Sequence, residues 1–182
     1  MPELPEVETI RLGLSRLIVG KTVGGTRNYD SPKSFPNTDA DVTQFLIGAS
    51  ITTIRRRAKV LLIELSSGYT LMTHLKMTGQ IVYVNKHERW GAGHPSDSLV
   101  RELPDNTTRE HLKFSDGSRL YFNDLRKFGW MKLIPTIEVE NIDFMKKVGP
   151  EPLSDEFTAP KFVQRIRRRN GTTVKAAILD QT

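Results

Sequence analysis

The residues with the clearest capacity for chemistry stand at the very start of the chain, Met1-Pro2-Glu3-Leu4-Pro5-Glu6-Val7-Glu8-Thr9. Once Met1 is removed, Pro2 presents a free secondary amine. An α-amine has a reference pKa of about 7.7–8.0, against about 10.4 for lysine, so a useful fraction is neutral near pH 7. A helix that begins just behind it lowers that value further, because the positive helix end disfavours another cation. Such an amine can attack a carbon at the aldehyde level of a sugar and form an iminium, which acidifies the neighbouring C–H. Glu3 stands beside it as a group able to move protons. The same residues would equally make a plain helix start, with Pro2 and Pro5 shaping the backbone and the glutamates capping it.

Three further clusters carry cations beside special residues. Arg55-Arg56-Arg57-Ala58-Lys59 precedes an apolar run, so it reads either as a solvated strand edge or as a phosphate clamp with Lys59 aimed inward. His74-Leu75-Lys76-Met77-Thr78-Gly79 places Met77 next to a turn, where it fills core or wedges into a base stack. Asp124-Leu125-Arg126-Lys127-Phe128-Gly129 puts two cations before an aromatic ring, a combination that suits phosphate contact plus stacking, or else a hairpin tip with a buried Phe. A fourth feature is the stretch Phe157–Leu179, which holds no acid but carries Lys161, Arg165, Arg167, Arg168, Arg169 and Lys175. His74, His87, His94 and His111 show no metal-ligand spacing, and the chain has no cysteine. No metal is assigned to it.

Positioning these residues requires elements, and the pattern supplies them. Val7, Ile10, Leu14, Leu17 and Ile18 fall at helical spacing behind Pro5, and Gly20 is a stop. Val60–Leu65, Tyr69–Leu75, Gln80–Val84, His111–Ser115, Ser118–Asn123 and Phe128–Leu133 read as strands. Asp116-Gly117 is a two-residue hairpin signal between two of them. Asn85–Thr108 reads as one long polar loop. The expected fold is mainly β with flanking helices: an antiparallel β-sandwich with an N-terminal helix, followed by the beginning of a helical module. The expected organisation is a sandwich domain over 1–134, a linker over 135–153 containing Gly149-Pro150-Glu151-Pro152, and a truncated helical module over 154–182 with Ser154 as helix cap.

The 182 residues are 37% hydrophobic and 26% charged, a globular composition, with a net charge of +6 and a pI near 9.6. That balance fits a polyanionic partner without demanding one. Glu3, Glu6 and Glu8 stand where a signal peptide would be basic, and no apolar run reaches transmembrane length. A cytoplasmic protein is expected, with no membrane partner.

Taken in order, these motifs resemble the formamidopyrimidine-DNA glycosylase family. The resemblance runs from Met1–Thr9 through Arg56-Arg57-Ala58-Lys59, His74–Gly79, Arg126-Lys127-Phe128-Gly129 and Gly149-Pro150-Glu151-Pro152-Leu153 to Lys175-Ala176-Ala177-Ile178-Leu179-Asp180-Gln181-Thr182. Leu4 favours this branch over the related endonuclease VIII branch. The resemblance implies base-excision repair: a bifunctional glycosylase and abasic-site lyase removing oxidised purines (formamidopyrimidines and 8-oxoguanine) from damaged double-stranded DNA. It implies Pro2 as the Schiff-base nucleophile, Glu3 as proton donor and acceptor, and Lys59 as the acid/base of strand cleavage. It implies His74 and Arg126 on the DNA backbone, and Met77, Arg126 and Phe128 filling the gap left by a flipped nucleotide. Arg109 stands at a DNA-contact position usually held by His, with His111 two residues on. Asn170 stands at a usually basic position, and Lys127 where many members have Arg.

Family members continue beyond the last motif into the rest of a helix-two-turns-helix module, a lesion-recognition loop and a four-cysteine zinc finger. One zinc is therefore expected in that part of a complete member and no cofactor within this chain. A monomer is expected, acting at the bacterial nucleoid, with weak or no activity for these residues alone. The alternative is a truncated homologue that binds damaged DNA without catalysis.

Overall fold

The computed structural model describes residues 2–29, 32–152 and 154–179. Met1, whose removal the proposed nucleophile needs, lies outside the described residues, as do Leu153 and Asp180–Thr182 of the closing motifs. The chain divides into two compact units, one running to Val139 and one beginning at Glu140.

The first unit opens with helix α1 (Leu4–Ile18), which carries Pro5 in its first turn and buries Val7, Ile10, Leu14, Leu17 and Ile18. Burial of side chains of this size stabilises by about 1.5–3 kcal/mol each. Gly20 then takes a positive φ of 84° and turns the chain. Among the described residues nine strands follow: β1 (Val23–Asn28), β2 (Ile51–Arg57), β3 (Val60–Leu65), β4 (Tyr69–His74), β5 (Gly79–Val84), β6 (Arg89–Gly93), β7 (Thr108–Phe114), β8 (Arg119–Asp124) and β9 (Trp130–Pro135). They form a five-stranded sheet ordered β1-β7-β8-β5-β6 and a four-stranded sheet ordered β2-β3-β4-β9, with antiparallel neighbours throughout. Between β1 and β2 lie a short helix, α2 (Asp39–Asp41), and a π turn (Val42–Leu46). Leu61, Ile63 and Leu71 of one sheet and Ile81, Leu112, Leu120 and Phe122 of the other join the helix in one buried core. The expected antiparallel sandwich with an N-terminal helix is the architecture found.

Three strands differ from the sequence reading. β1, Val-Gly-Gly-Thr-Arg-Asn, has too little apolar content to stand out, and its ladder comes from β7. β2 contains the arginine run; Ile51 and Ile54 face the core while Arg55 reaches Glu64 of β3 at 2.5 Å. β6 lies inside the stretch read as a loop, and Trp90 packs so closely on α1 that a Cβ on Gly13 would stand 2.2 Å from its ring. The remainder of that stretch is also built: Arg89 donates to Leu99 and Ser98 carbonyls at 2.8 and 3.1 Å, and Ser98 Oγ donates to Asp105 at 2.6 Å.

The second unit contains α3 (Asp143–Lys147), α4 (Ala159–Arg167) and α5 (Val174–Leu179). The span read as a linker thus holds a 3-10 turn (Thr136–Asn141) and α3, and the first unit extends to Val139, which is buried. The cap of α4 is Thr158, whose hydroxyl accepts from the Lys161 N–H, with Pro160 in the first turn. Ser154 instead donates to the Glu151 carbonyl at 2.9 Å and begins a preceding turn. Four residues separate Ser154 from the first regular turn, too far for its side chain to reach the free N–H groups there.

Candidate active site

The start of α1 and the β2–β3 turn come together. Pro2 is buried and directly precedes Glu3, the N-cap of α1. The Glu3 N–H donates to the Glu6 carboxylate, which fixes the first turn. β2 and β3 pair up to Arg57 and Val60, leaving Ala58 and Lys59 as a two-residue turn. Lys59 is turned inward, its side chain only 8% exposed, and its Nζ lies 2.5 Å from Glu3 Oε2. A carboxylate and an amine thus share one site beside the residue whose amine would be the nucleophile. A buried lysine requires such a partner.

His74 ends β4 directly opposite Val60, the neighbour of Lys59. Burial, followed by the nearby charges of Lys76 and Lys59, pushes its pKa down to about 4. The ring is therefore neutral at pH 7. Its Nδ1 accepts the Lys76 N–H at 3.0 Å, so the proton sits on Nε2, a neutral donor suited to a phosphate oxygen.

Two loops project beside this site. Met77, in the β4–β5 turn, is 40% exposed, and Phe128, in the β8–β9 loop, is 53% exposed. Arg126 stacks its guanidinium 4.9 Å from the Phe128 ring centre. Phe128 therefore lies before β9, not in it. The fully buried carboxylate of Asp124 ties both loops together: it accepts from the Thr78 hydroxyl, from the Arg126 N–H at 3.2 Å and from the Gly129 N–H at 2.6 Å. Among the described residues, the non-glycine residues with positive φ are Ala58 (49°), Lys76 (50°) and Lys127 (58°). Each adjoins a predicted site residue, Lys59, Met77, or the pair Arg126 and Phe128, so backbone strain concentrates on the three site turns.

Other expected residues fall elsewhere. Arg109 is buried, and its Nε, Nη2 and Nη1 donate to the carbonyls of Asp124 (2.8 Å), Asn106 (3.0 Å) and Thr108 (3.5 Å). It braces the root of the β8–β9 loop. Asn170 is exposed in the turn after α4, in the second unit. Sequence reasoning missed three participants: Arg56 as a bonded group, its partner Glu8, and Asp124 as a loop staple. A carboxylate closing a strand before a cationic loop is the one local signal that could have found Asp124. Among the described residues no three His, Asp or Glu side chains gather as a metal site.

A model of the formamidopyrimidine-DNA glycosylase N-terminal domain matches residues 1–131. The chain is 38% identical to the formamidopyrimidine-DNA glycosylase of Rhodopseudomonas palustris (strain BisA53) and 35% identical to that of Ruegeria pomeroyi, covering 100% of this chain and 60% and 61% of theirs. It therefore spans about three fifths of the length of the relatives it matches. The fold superposes on the Lactococcus lactis formamidopyrimidine-DNA glycosylase bound non-covalently to DNA containing an abasic site, with TM-score 0.81 and 29% identity, covering 63% of that chain. A complex of the same enzyme with N7-benzyl-Fapy-dG DNA gives TM-score 0.80, 30% identity and 61% coverage.

Proposed function

This chain belongs to the formamidopyrimidine-DNA glycosylase family, and from that premise we propose that it acts in base-excision repair on oxidised purines in double-stranded DNA. The observation that carries this reading is the 2.5 Å contact of Lys59 Nζ with Glu3 beside Pro2. With Met1 removed, the Pro2 amine attacks C1′ of the damaged nucleotide as the bond from C1′ to the base breaks and the base leaves with a proton. The amine then loses its proton, the C1′–O4′ bond opens with a proton delivered to O4′, and an iminium remains. Glu3 supplies and recovers protons at the sugar. The iminium acidifies C2′–H; loss of that proton breaks the C3′–O bond and cuts the strand, with Lys59 as acid/base.

The neutral His74 and the cation Arg126 hold phosphates around the extruded nucleotide. Met77, Arg126 and Phe128 fill its place in the stack, offsetting an unstacking cost of a few kcal/mol. Arg109 supports that loop from below. Asn170 is proposed as a phosphate contact from the second unit. The zinc expected of a complete member is proposed to lie outside these residues, and no step here passes through it. The proposed setting is the bacterial nucleoid, with the protein acting as a monomer; no helix among the described residues is long and apolar enough to cross a membrane.

Borohydride trapping on duplex DNA with one abasic site tests the reading, because an iminium reduces to a stable crosslink. The expected result is a weak crosslink with the chain starting at Pro2 and none when the amine of Pro2 is blocked by acylation or when Met1 is retained. DNA binding without any crosslink from the processed chain would instead make this a damage-binding homologue that does no chemistry.

A further inference from the structure

In sequence Arg56 is one cation of a run that suits a solvated strand edge or a phosphate clamp, yet its side chain is only 5% exposed and points back into the protein. Its Nε donates to Glu8 Oε2 at 2.9 Å, and its Nη1 donates to the Ala58 carbonyl at 3.0 Å. The other Glu8 oxygen is held by Arg11 at 2.6 Å, so Glu8 is itself fixed on α1. Those bonds lower the Glu8 pKa, with the Arg11 contact the largest cause, and keep Glu8 charged. Ala58 is the left-handed residue of the turn that carries Lys59.

We infer that Arg56 is a positioning residue for Lys59. The inference rests on reading Pro2, Glu3 and Lys59 as the reacting set. Among the described residues, two ion pairs tie the β2–β3 turn to the start of α1: Lys59 to Glu3, and Arg56 to Glu8. With only the first tie, a single ion pair to Glu3 holds the lysine, and movement of the turn shifts Nζ relative to the sugar or breaks that pair. With both, the turn has one orientation relative to the helix, and the amine of Lys59 stands against the carboxylate that begins it. Arg56 acts through the Ala58 carbonyl and never meets the substrate. The planar guanidinium is suited to this because it serves two acceptors at once in fixed directions.

The role predicts a split between the two chemical steps. Iminium formation uses Pro2 and Glu3 and should survive; elimination uses Lys59 and should not. In single-turnover reactions of the chain starting at Pro2 with abasic duplex, Arg56→Gln is expected to slow strand cleavage by about tenfold, some 1.4 kcal/mol, more than it slows borohydride trapping. A second measurement needs no DNA. Acetylation of Lys59 by a small anhydride, read by mass spectrometry against Lys21, is expected to speed up by a similar factor in Arg56→Gln. Lys21 is the control because it is also paired, with Asp116, away from this turn.

Glu8→Gln is expected to shift both readouts the same way but less, and the double variant should be no worse than Arg56→Gln alone, because the two residues act as one tie. Should Arg56→Gln fail to fold, the milder Glu8→Gln carries the test. Cleavage and trapping falling in parallel, or Lys59 acetylation unchanged relative to Lys21, overturns the inference. If the unaltered chain traps nothing, the proposed function fails, while the acetylation arm still decides whether Arg56 sets Lys59.

Discussion

Three side chains pay for their positions in backbone strain. Ala58, Lys76 and Lys127 all take left-handed conformations at site turns, where a Cβ costs about 1–2 kcal/mol. Lys76→Gly and Lys127→Gly should therefore leave stability unchanged or raise it by up to about 1 kcal/mol, partly offset by glycine's greater unfolded entropy; urea titration checks this. Buried titratable groups make a second residue-scale prediction. Glu110 bridges to Thr26, and burial pushes its carboxyl up to about 7 from an ordinary 4.5. Above pH 7 its charge opposes folding, and that penalty disappears as pH falls from about 7 to 4.5. His74 runs the other way: with its pKa held near 4 rather than 6.5, stability is lost as pH falls from 6.5 toward 4. Each effect is about 3 kcal/mol by linkage, so in the shared window they largely cancel. Glu110→Gln should stabilise at pH 8 and expose the His74 loss, seen as thermal stability that now falls steadily between pH 6.5 and 4.

At the scale of elements, one hairpin turn (β2–β3) and two connections between the sheets (β4–β5 and β8–β9) act as mounts for the site residues. The Met77 turn joins β4 to β5 and the Arg126–Phe128 loop joins β8 to β9, so both cross from one sheet to the other, and Asp124 makes them one unit. Its two oxygens serve three donors, so Asp124→Asn replaces an acceptor with an NH2 group facing donors. The expected loss is about 1–3 kcal/mol for the donors left unpaired, measured by urea titration. Gly129 is equally constrained, since a Cβ there would stand 2.8 Å from the ring of buried Phe122. Gly129→Ala should cost about 1–3 kcal/mol, because the ring is too enclosed to move aside. Both variants should also weaken the gap filling proposed for Met77 and Phe128, read as lower fluorescence of a 2-aminopurine placed beside the lesion.

Across the whole molecule, stability and charge are unevenly placed. The first unit owns the sandwich core, whereas α4 and α5 of the second bury none of their described residues. Trypsin should therefore cut within Arg165–Arg169 well before it cuts the sandwich, as a time course followed by mass spectrometry would show. The net charge of +6, with the acid-free basic stretch, predicts DNA binding that weakens steeply with salt. The slope of log K against log salt should be about −0.9 for each phosphate neutralised, and Arg165→Ala with Arg167→Ala should flatten it.

Much of this protein was readable in the order of its residues. Local patterns fix α1, six strands and the Asp116-Gly117 hairpin, because periodicity and turn chemistry are short-range. Motif order fixes the family, and residue type fixes which groups can act: an imino acid behind Met1, a carboxylate next to it, a lysine at a strand start. What the chain order leaves open is everything set by a partner distant in sequence. β1 and β6 are strands because β7 and β5 offer ladders, not because Gly-rich segments prefer extension. Arg56, Arg57 and Lys59 look alike in a basic run, yet only packing against α1 turns Lys59 onto Glu3 and Arg56 onto Glu8. Arg109 reads as a cation for DNA, and the fold spends its donors on three carbonyls. A charged side chain goes to whichever acceptor is nearest in space, and tertiary structure alone sets that distance.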